Sequence, residues 1–416
     1  MKSLHTADWH LGNNFHGHER TTEHRHFIQW LLDVLGEELP DVMIIAGDIF
    51  DNANPSATAE GLFYDFLLDA TERVPGLQIV VVAGNHDSAG RLDAPAELLK
   101  RHNIYVRGAI RWNESTKTPD FDQLILPLSS RLTPEAEVVC LAVPYLRPYD
   151  YPAGMTAAEG LHYYFENLMQ RVGKSIFKDL PIIAAAHFYA AGAEVCENEH
   201  SERLVVGGQD CVPADVIGKG IAYTALGHIH RSQKVKNSVT EMYFSGSALP
   251  MSFTERGYQH GVQIVELKEN GQVTVNRDIY SPLRRLLCIP HQGAATKEEM
   301  FDTISQLPKR EKGDNGDSWP YLEIHLLEKQ PEPSLLHDVT EALSDRAVHF
   351  CRIIRELPPE EHEERQLSHK ETLQSISPLE MARRVFTNYY QDELPEALES
   401  RFKKAEEICM HHPSNS

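Results

Sequence analysis

The sequence contains no run of the ~18 uninterrupted apolar residues that a membrane-crossing helix needs, and no membrane association is expected. It also lacks any C-x-x-C pair. Its six cysteines, at positions 140, 196, 211, 288, 351 and 409, are scattered. That argues against a zinc ribbon or a disulfide frame and for ordinary thiols in a reducing, cytoplasmic compartment. A cleaved leader is not expected, because its removal would take Asp8, a candidate metal ligand. Positive charge is scarce: 40 Lys and Arg face 61 Asp and Glu, a net charge of −21. A chain that holds a nucleic-acid backbone unaided normally carries a basic face. Either the substrate is small, or cations and a partner chain supply the missing positive charge.

With 416 residues, 41% of them hydrophobic, the chain is long enough for two or three domains with real cores. Apolar strands and amphipathic helices alternate through its first part. Strands are expected at 1–10, Asp41 to Ile45, Leu77 to Val82, Leu124 to Pro127, Val138 to Pro144, Pro181 to Ala186 and Ala222 to Leu226. Tyr243 to Ser245, Gly261 to Glu266 and Val273 to Ile279 read as an antiparallel finish. Helices are expected from about Glu19 to Leu35, from Pro55 onward and over Leu161 to Val172. The fold class is therefore α/β, with strands entering from both halves of one domain, as two sheets face to face would provide.

Past Ser281 the pattern becomes β-α-β-α-β: Leu286–Ile289, a helix over Thr296 to Leu307, Tyr321–Leu327, a helix over Ser334 to Leu343, then Ala347–Ile354. The expected organisation is 1–280 as the main domain, 281–356 as a small α+β domain without ligands of its own, 357–376 as a charged linker, and 377–410 as a helix pair. Leu379, Met381, Val385, Phe386, Tyr389, Leu398 and Phe402 give that pair more apolar surface than it hides within itself, which favours a partner chain over simple docking on its own domain.

Seven residues each follow or end an apolar run: Asp8 and His10 in D-W-H, Asp48 in G-D-I-F-D, Asn85 in G-N-H-D, His187 in A-A-A-H-F, and His228 and His230 in G-H-I-H. Strand ends fix such side chains well, and Asp, His and Asn are ligands for divalent ions. Two cations about 3.5–4 Å apart, sharing one carboxylate, form the usual device for hydrolysing a phosphoester. Asp48 is the natural bridge, with Asp8, His10 and His230 on one ion and Asn85, His187 and His228 on the other. Four imidazoles among seven ligands disfavour Mg²⁺ and suit Mn²⁺, Fe²⁺ or Zn²⁺; the Asp/Asn/His balance puts Mn²⁺ first. His86 neighbours a ligand and is the candidate catalytic residue, protonating the leaving oxygen or offsetting its charge. Asp51 and Asp87 are candidates for orienting imidazoles. His16, His18, His24 and His26 lack strand-end placement and read as a solvated loop and helix face, as do His200, His260, His411 and His412. Tyr163 with Tyr164, and Tyr389 with Tyr390, read as packing residues.

The set D-x-H, G-D-x-x-D, G-N-H-D, H, G-H-x-H resembles the calcineurin-like metallophosphoesterases, and this resemblance implies a β-sandwich flanked by helices that holds two metals. D-W-H-L-G at 8–12, A-G-D-I-F-D at 46–51, A-L-G-H-I-H at 225–230 and Y-F-S-G-S-A-L-P-M-S-F at 243–253 are similar to the SbcD nucleases of that family. The resemblance implies a Mn²⁺-dependent DNA nuclease: a 3′ to 5′ exonuclease on duplex ends and an endonuclease on single strands and hairpins. It implies a capping domain and a C-terminal helix pair docked on an SbcC-type coiled-coil ATPase, two of each chain per complex, with a homodimer possible for the chain alone. The competing readings are a stand-alone phosphoesterase acting on a small phosphodiester and a scaffold protein with a relic site. A protein phosphatase fits less well, since Asp51 is followed by Asn52 and Ala53 rather than Arg-Gly.

Overall fold

The apolar strands are buried on both sides, and their alternation sorts side chains into two cores. In Val42–Ala46, the side chains of Val42, Ile44 and Ala46 enter one apolar cluster and those of Met43 and Ile45 another. A computed structural model describes residues 1–193, 211–268, 271–328 and 332–357, together with 379, 383, 395 and 398–401. Residues 1–356 form one compact unit and 357–416 a second.

The first unit holds two six-stranded sheets and one of three strands. The first sheet runs in the order Val273–Tyr280, His260–Leu267, Lys2–Thr6, Val42–Ala46, Gln78–Val82, Ile104–Arg107. The second runs Gln233–Lys234, Glu241–Phe244, Tyr223–Gly227, Ile182–His187, Ala136–Val143, Ile125–Ser129. Val42, Ile44, Ala46, Val80 and Val82 of the first sheet pack against Leu128, Val138, Cys140, Ala142, Ile183 and Ala225 of the second, so the two sheets lie face to face. Outside the first sheet lie the helices Thr21–Glu38 and Ala57–Arg73, with Trp9, Phe27, Phe63 and Phe66 at their junction. Outside the second lies Ala157–Lys174, through Leu161, Tyr164, Phe165, Leu168 and Val172. Burying a side chain of this size contributes about 1.5–3 kcal/mol. Three stacked apolar layers therefore supply the rigidity that ligands at the strand ends require.

Lys2–Thr6, Val42–Ala46 and Gln78–Val82 pair in parallel, as do Ile182–His187 and Tyr223–Gly227. Their carboxyl ends carry the Asp8, Asp48, Asn85, His187 and His228 segments. Open α/β sheets place ligands at this end.

Three expectations change. Glu241–Phe244 is not part of an antiparallel finish: it pairs in parallel with Tyr223–Gly227, while only His260–Leu267 and Val273–Tyr280 run antiparallel, in the first sheet. Pro55 does not open the second helix; Ser56 caps it by accepting the N–H of Ala59. The histidines at 16–26 are only in part a solvated face: His16 and His26 are exposed, but His18 and His24 are not. His24 is buried, His18 bonds the carbonyl of Phe350 and His26 the hydroxyl of Tyr280. His260 is buried as well, bonded to the carbonyl of Ser247.

The small sheet, Leu286–Ile289, Tyr321–Leu327 and His349–Glu356, is wholly parallel, and Lys297–Gln306 and Leu335–Ala342 cover one face of it. The Thr296 capping box begins the first of these helices. A buried charge network joins this sheet to the sandwich. The Arg20 Nη2 donates to Glu23 Oε1 at 2.9 Å, the Tyr321 hydroxyl donates to Glu23 Oε2 at 2.6 Å, and Arg284 Nη1 donates to the Tyr321 hydroxyl at 2.8 Å. Arg20 and Glu23 are fully buried, and removing one partner of such a pair costs about 3–5 kcal/mol. That makes the junction a fixed one.

The charged linker expected at 357–376 lies almost entirely outside the described residues, and so do Tyr389, Tyr390, His200, His411 and His412. Of the expected helix pair at 377–410, residues 379, 383 and 398–401 are described and helical, and Arg383 Nη2 meets Glu399 Oε1 at 2.7 Å. Among the described residues, no helix is long and apolar enough to cross a membrane.

Candidate metal centre

Backbone pairing brings the ligand loops together. The N–H groups of Asp8, His10 and Leu11 donate to the carbonyls of Gly47, Asp48 and Ile49, at 3.0, 3.1 and 2.8 Å. Asp87 then fastens the third loop to the second. Its buried carboxylate accepts the N–H groups of Gly84, Ile49 and Phe50, at 2.8, 3.2 and 3.0 Å. Asp87 was expected to orient an imidazole; instead it staples backbone, its carboxylate taken up by these three N–H groups.

Asp8, His10, Asp48 and His228 all adopt positive φ, of 54°, 48°, 49° and 102°. A non-glycine residue there costs of order 1–3 kcal/mol and persists only where its surroundings over-determine it. The stapled loops do so. Close approach explains the glycines of the motifs: a Cβ on Gly227 would meet the Ala46 carbonyl, His187 Nδ1 at 2.8 Å and Ala7 Cβ at 2.9 Å, and one on Gly84 would run into Asp48.

The second expected ligand set is gathered tightly. Asn85 Oδ1 lies 3.0 Å from His187 Nε2 and 3.1 Å from His228 Nδ1, and His187 Nε2 lies 3.3 Å from Asp48 Oδ2. For the first set, the close trio is His10, Asp48 and His86, with the His10 ring 4.9 Å from His86 and 5.2 Å from His230. Asp8 is buried beside them and accepts the N–H of His228, at 2.9 and 3.1 Å to its two oxygens. Asp48 thus belongs to both trios of ligand atoms: with His10 and His86, and with His187 and His228.

The residues fit divalent cations. His10 is 2% exposed, yet among the described residues neither of its ring nitrogens has a hydrogen-bond partner. Beside Asp48 and His86, such a buried imidazole has a lone pair to offer a cation. Other rings are held through their second nitrogen, as metal-binding histidines usually are. His187 Nδ1 lies 2.8 Å from the Ala46 carbonyl and His230 Nδ1 3.1 Å from Glu255 Oε1, whose other oxygen accepts the N–H of Met251 at 2.8 Å. Glu255 was not foreseen from sequence; only its burial within the 253–257 turn gives it away. Asp51 acts through its main chain, its carbonyl 2.8 Å from His86 Nδ1, while its carboxylate stands 3.8 Å from His10 Nδ1. Tyr145 and Tyr189 lie edge-on and tilted beside His187 and His228, each at 6.3 Å between ring centres, and were also missed.

Charge in the centre is strongly redistributed. Burial works against a charge on His187, but the Asp48 carboxylate outweighs it and raises the imidazole to about 9. Burial also opposes ionisation of Asp48, yet the His187, His10 and His86 rings hold it well below the usual carboxylate range. Burial pushes Asp8 up to about 7, with His187 and His230 pulling the other way. His228 falls to about 3 and His10 also falls well below its ordinary value, chiefly through burial. The Asp48 carboxylate thus favours positive charge at the place where cations would sit.

Comparison with known proteins agrees with this geometry. Residues 1–232 match the family model described as Calcineurin-like phosphoesterase. The chain is 34% identical over 343 residues to the SbcD component of the SbcCD nuclease of Rhodobacter capsulatus, covering 80% of this chain and 81% of that protein. This chain belongs to the calcineurin-like phosphoesterases, in the SbcD family of nucleases. Within the family it is also 32% identical to the Bacillus subtilis protein of that name, over 79% of this chain and 80% of the other. It is 28% identical to that of Escherichia coli K12, over 99% and 98%. Residues 282–390 match a second model, described as Type 5 capsule protein repressor C-terminal domain. Membership in the phosphoesterase family carries with it a requirement for divalent metal.

Cations held by His187 and Asp8 would displace the proton that the Asp48 carboxylate favours on His187 and the one that burial favours on Asp8. Both changes favour binding at higher pH, so apparent affinity is expected to rise between pH 6 and 8 with release of protons. Calorimetric metal titrations in buffers of different ionisation heat measure that release; an affinity that is flat across this range, with no protons released, contradicts the assignment.

Proposed function

We propose that this chain is the metal-dependent DNA nuclease of a two-component complex, hydrolysing phosphodiester bonds at duplex ends in the 3′ to 5′ direction and in single strands and hairpins. The observation that carries the reading is the buried Asp48 carboxylate common to two trios of ligand atoms, in a chain matched nearly end to end by a protein named as part of a nuclease. Asp8, His10, Asp48 and His230 would hold one ion, and Asp48, Asn85, His187 and His228 the other. The nitrogen-rich donor set, free of cysteine, favours Mn²⁺ over Mg²⁺. When bound, such a pair supplies Lewis acidity, making water a stronger nucleophile at neutral pH and offsetting charge on the phosphoryl oxygens.

The chain's own groups do the rest. His86 is solvent-exposed, its N–H donates to Asp48 Oδ1 at 2.9 Å, and its Nδ1 is tied to the Asp51 carbonyl. With Nδ1–H committed to that carbonyl, Nε2 is the nitrogen that carries a proton to the leaving 3′-oxygen. His86 also stands within the trio with His10 and Asp48, so its role is decided by metal content as well as rate. The net charge of −21 leaves the grip on DNA to the metals and to a basic partner, an SbcC-type coiled-coil ATPase that engages residues 377–410 in the cytoplasm and gates cleavage with ATP.

The direct test incubates the Mn²⁺-loaded chain, with and without that ATPase, with free-ended duplex, end-blocked duplex, a hairpin and a chromogenic phosphodiester. Cleavage of the free-ended duplex and the hairpin, stimulated by the ATPase, is expected; activity confined to the small ester would instead make this a stand-alone phosphoesterase. In the same assay His86→Gln should lower turnover about 10²–10⁴-fold while two metals remain bound. Loss of one metal equivalent would make His86 a ligand instead. Removing residues 377–416 should abolish association with the ATPase and leave metal content unchanged; a truncated chain that still forms the complex contradicts the assignment of the helix pair.

A further inference from the structure

The small sheet has two unlike faces. Leu287, Ile289, Leu322, Ile324 and Leu326 point to its helices and make an apolar core. The opposite face carries Cys288, Glu323, His325, Arg352 and Glu356. Parallel register sets Cys288 beside Glu323 and Glu323 beside Arg352, and alternation brings His325 to the same face as Glu323.

Three ligand atoms converge there: the Cys288 sulfur, a Glu323 oxygen and a His325 nitrogen, all within 4.8 Å of one another. The sulfur lies 3.9 Å from Glu323 Oε1, and His325 Nε2 lies 2.9 Å from the same oxygen. Zinc bound at about 2.3 Å to sulfur and about 2.0 Å to nitrogen and oxygen sets its ligands roughly 3–4 Å apart. Cys288 and Glu323 are 5% and 2% exposed, so neither is a solvated surface group.

The second observation is the support behind these atoms. His325 Nδ1 lies 3.0 Å from Glu356 Oε1, the carboxylate–histidine arrangement that aims the other ring nitrogen at a metal. The second oxygen of Glu323 accepts from Arg352 Nε at 2.5 Å, which fixes the carboxylate and leaves Oε1 toward the cysteine. We propose that Cys288, Glu323 and His325 form a second cation site, separate from the Asp48 centre, for one divalent ion of the zinc class. A site of one thiolate, one carboxylate and one imidazole suits zinc, and with three protein ligands it leaves a fourth position for water. It lies outside the function assigned above and does not depend on it.

Charge balance permits the exchange. The Glu323 and Glu356 carboxylates face Arg352 and His325, and although burial opposes a charge on that ring, the two carboxylates outweigh it and raise its pKa. Burial likewise raises the Cys288 thiol, with the facing Arg256 guanidinium working the other way. Entry of the ion would draw the proton from the thiol into water, and the positive charge of the ion would offset the thiolate and the facing carboxylates. The bound ion would tie the first strand of the sheet to the second.

Cobalt(II) loading of the full chain tests this, because the Asp48 centre offers no sulfur. Expected is a thiolate-to-cobalt charge-transfer band of one equivalent that zinc abolishes, that survives Asp48→Asn, and that disappears in Cys288→Ser and weakens at least tenfold in affinity in His325→Ala. Circular dichroism checks that the variants are folded. A folded wild-type chain without the band overturns the proposal even if no variant is stable. A band that persists in Cys288→Ser, or one that requires Asp48, overturns it as well.

Discussion

The Asp48 carboxylate is the constraint on which the rest of this structure depends. It is 2% exposed and lies among histidine rings from both sheets, so its charge is tolerable only because imidazoles, or the cations that replace their protons, surround it. Its left-handed backbone, the stapling of its loop by Asp87 and the glycines at 84 and 227 all serve to bring that oxygen pair to the seam of the sandwich. The layered core is what lets such strain persist. Loops carrying positive-φ aspartates and histidines would relax on a weaker scaffold.

A chain of contacts also links the centre to the small sheet. Glu255 orients His230 and accepts the N–H of Met251. The neighbouring Pro250 carbonyl takes a 2.7 Å hydrogen bond from Arg20, and Arg20 is paired with Glu23. Glu23 in turn accepts from Tyr321 in the middle strand of the small sheet. The links are polar and mostly buried, so displacing one leaves its neighbour unsatisfied. The small domain is thereby part of the scaffold of the site, not an appendage to it.

Much of this was legible in sequence because strand ends announce themselves. A run such as D-V-M-I-I followed by A-G-D has one economical reading, a doubly buried strand delivering a ligand, and the seven candidate residues follow from it. Sheet partners were less legible: Glu241–Phe244 looks like its antiparallel successors, and only the fold shows that it pairs in parallel in the other sheet. Residues that act by burial were invisible. Glu255 is an acid like any other until its turn is enclosed, Asp87 reads as a partner for an imidazole until backbone N–H groups surround it, and His24 reads like its exposed neighbours until the fold buries it. His86 stayed ambiguous at both levels, since the place that would let it donate a proton also sets it among candidate ligands.

The central claim is that one carboxylate joins two cations. Electron paramagnetic resonance of the fully Mn²⁺-loaded chain measures this directly, since two ions bridged by an oxygen group are magnetically coupled. A coupled-pair spectrum that collapses to that of isolated ions in Asp48→Asn is the expected result. A wild-type spectrum of isolated, uncoupled Mn²⁺ at full loading would contradict the account.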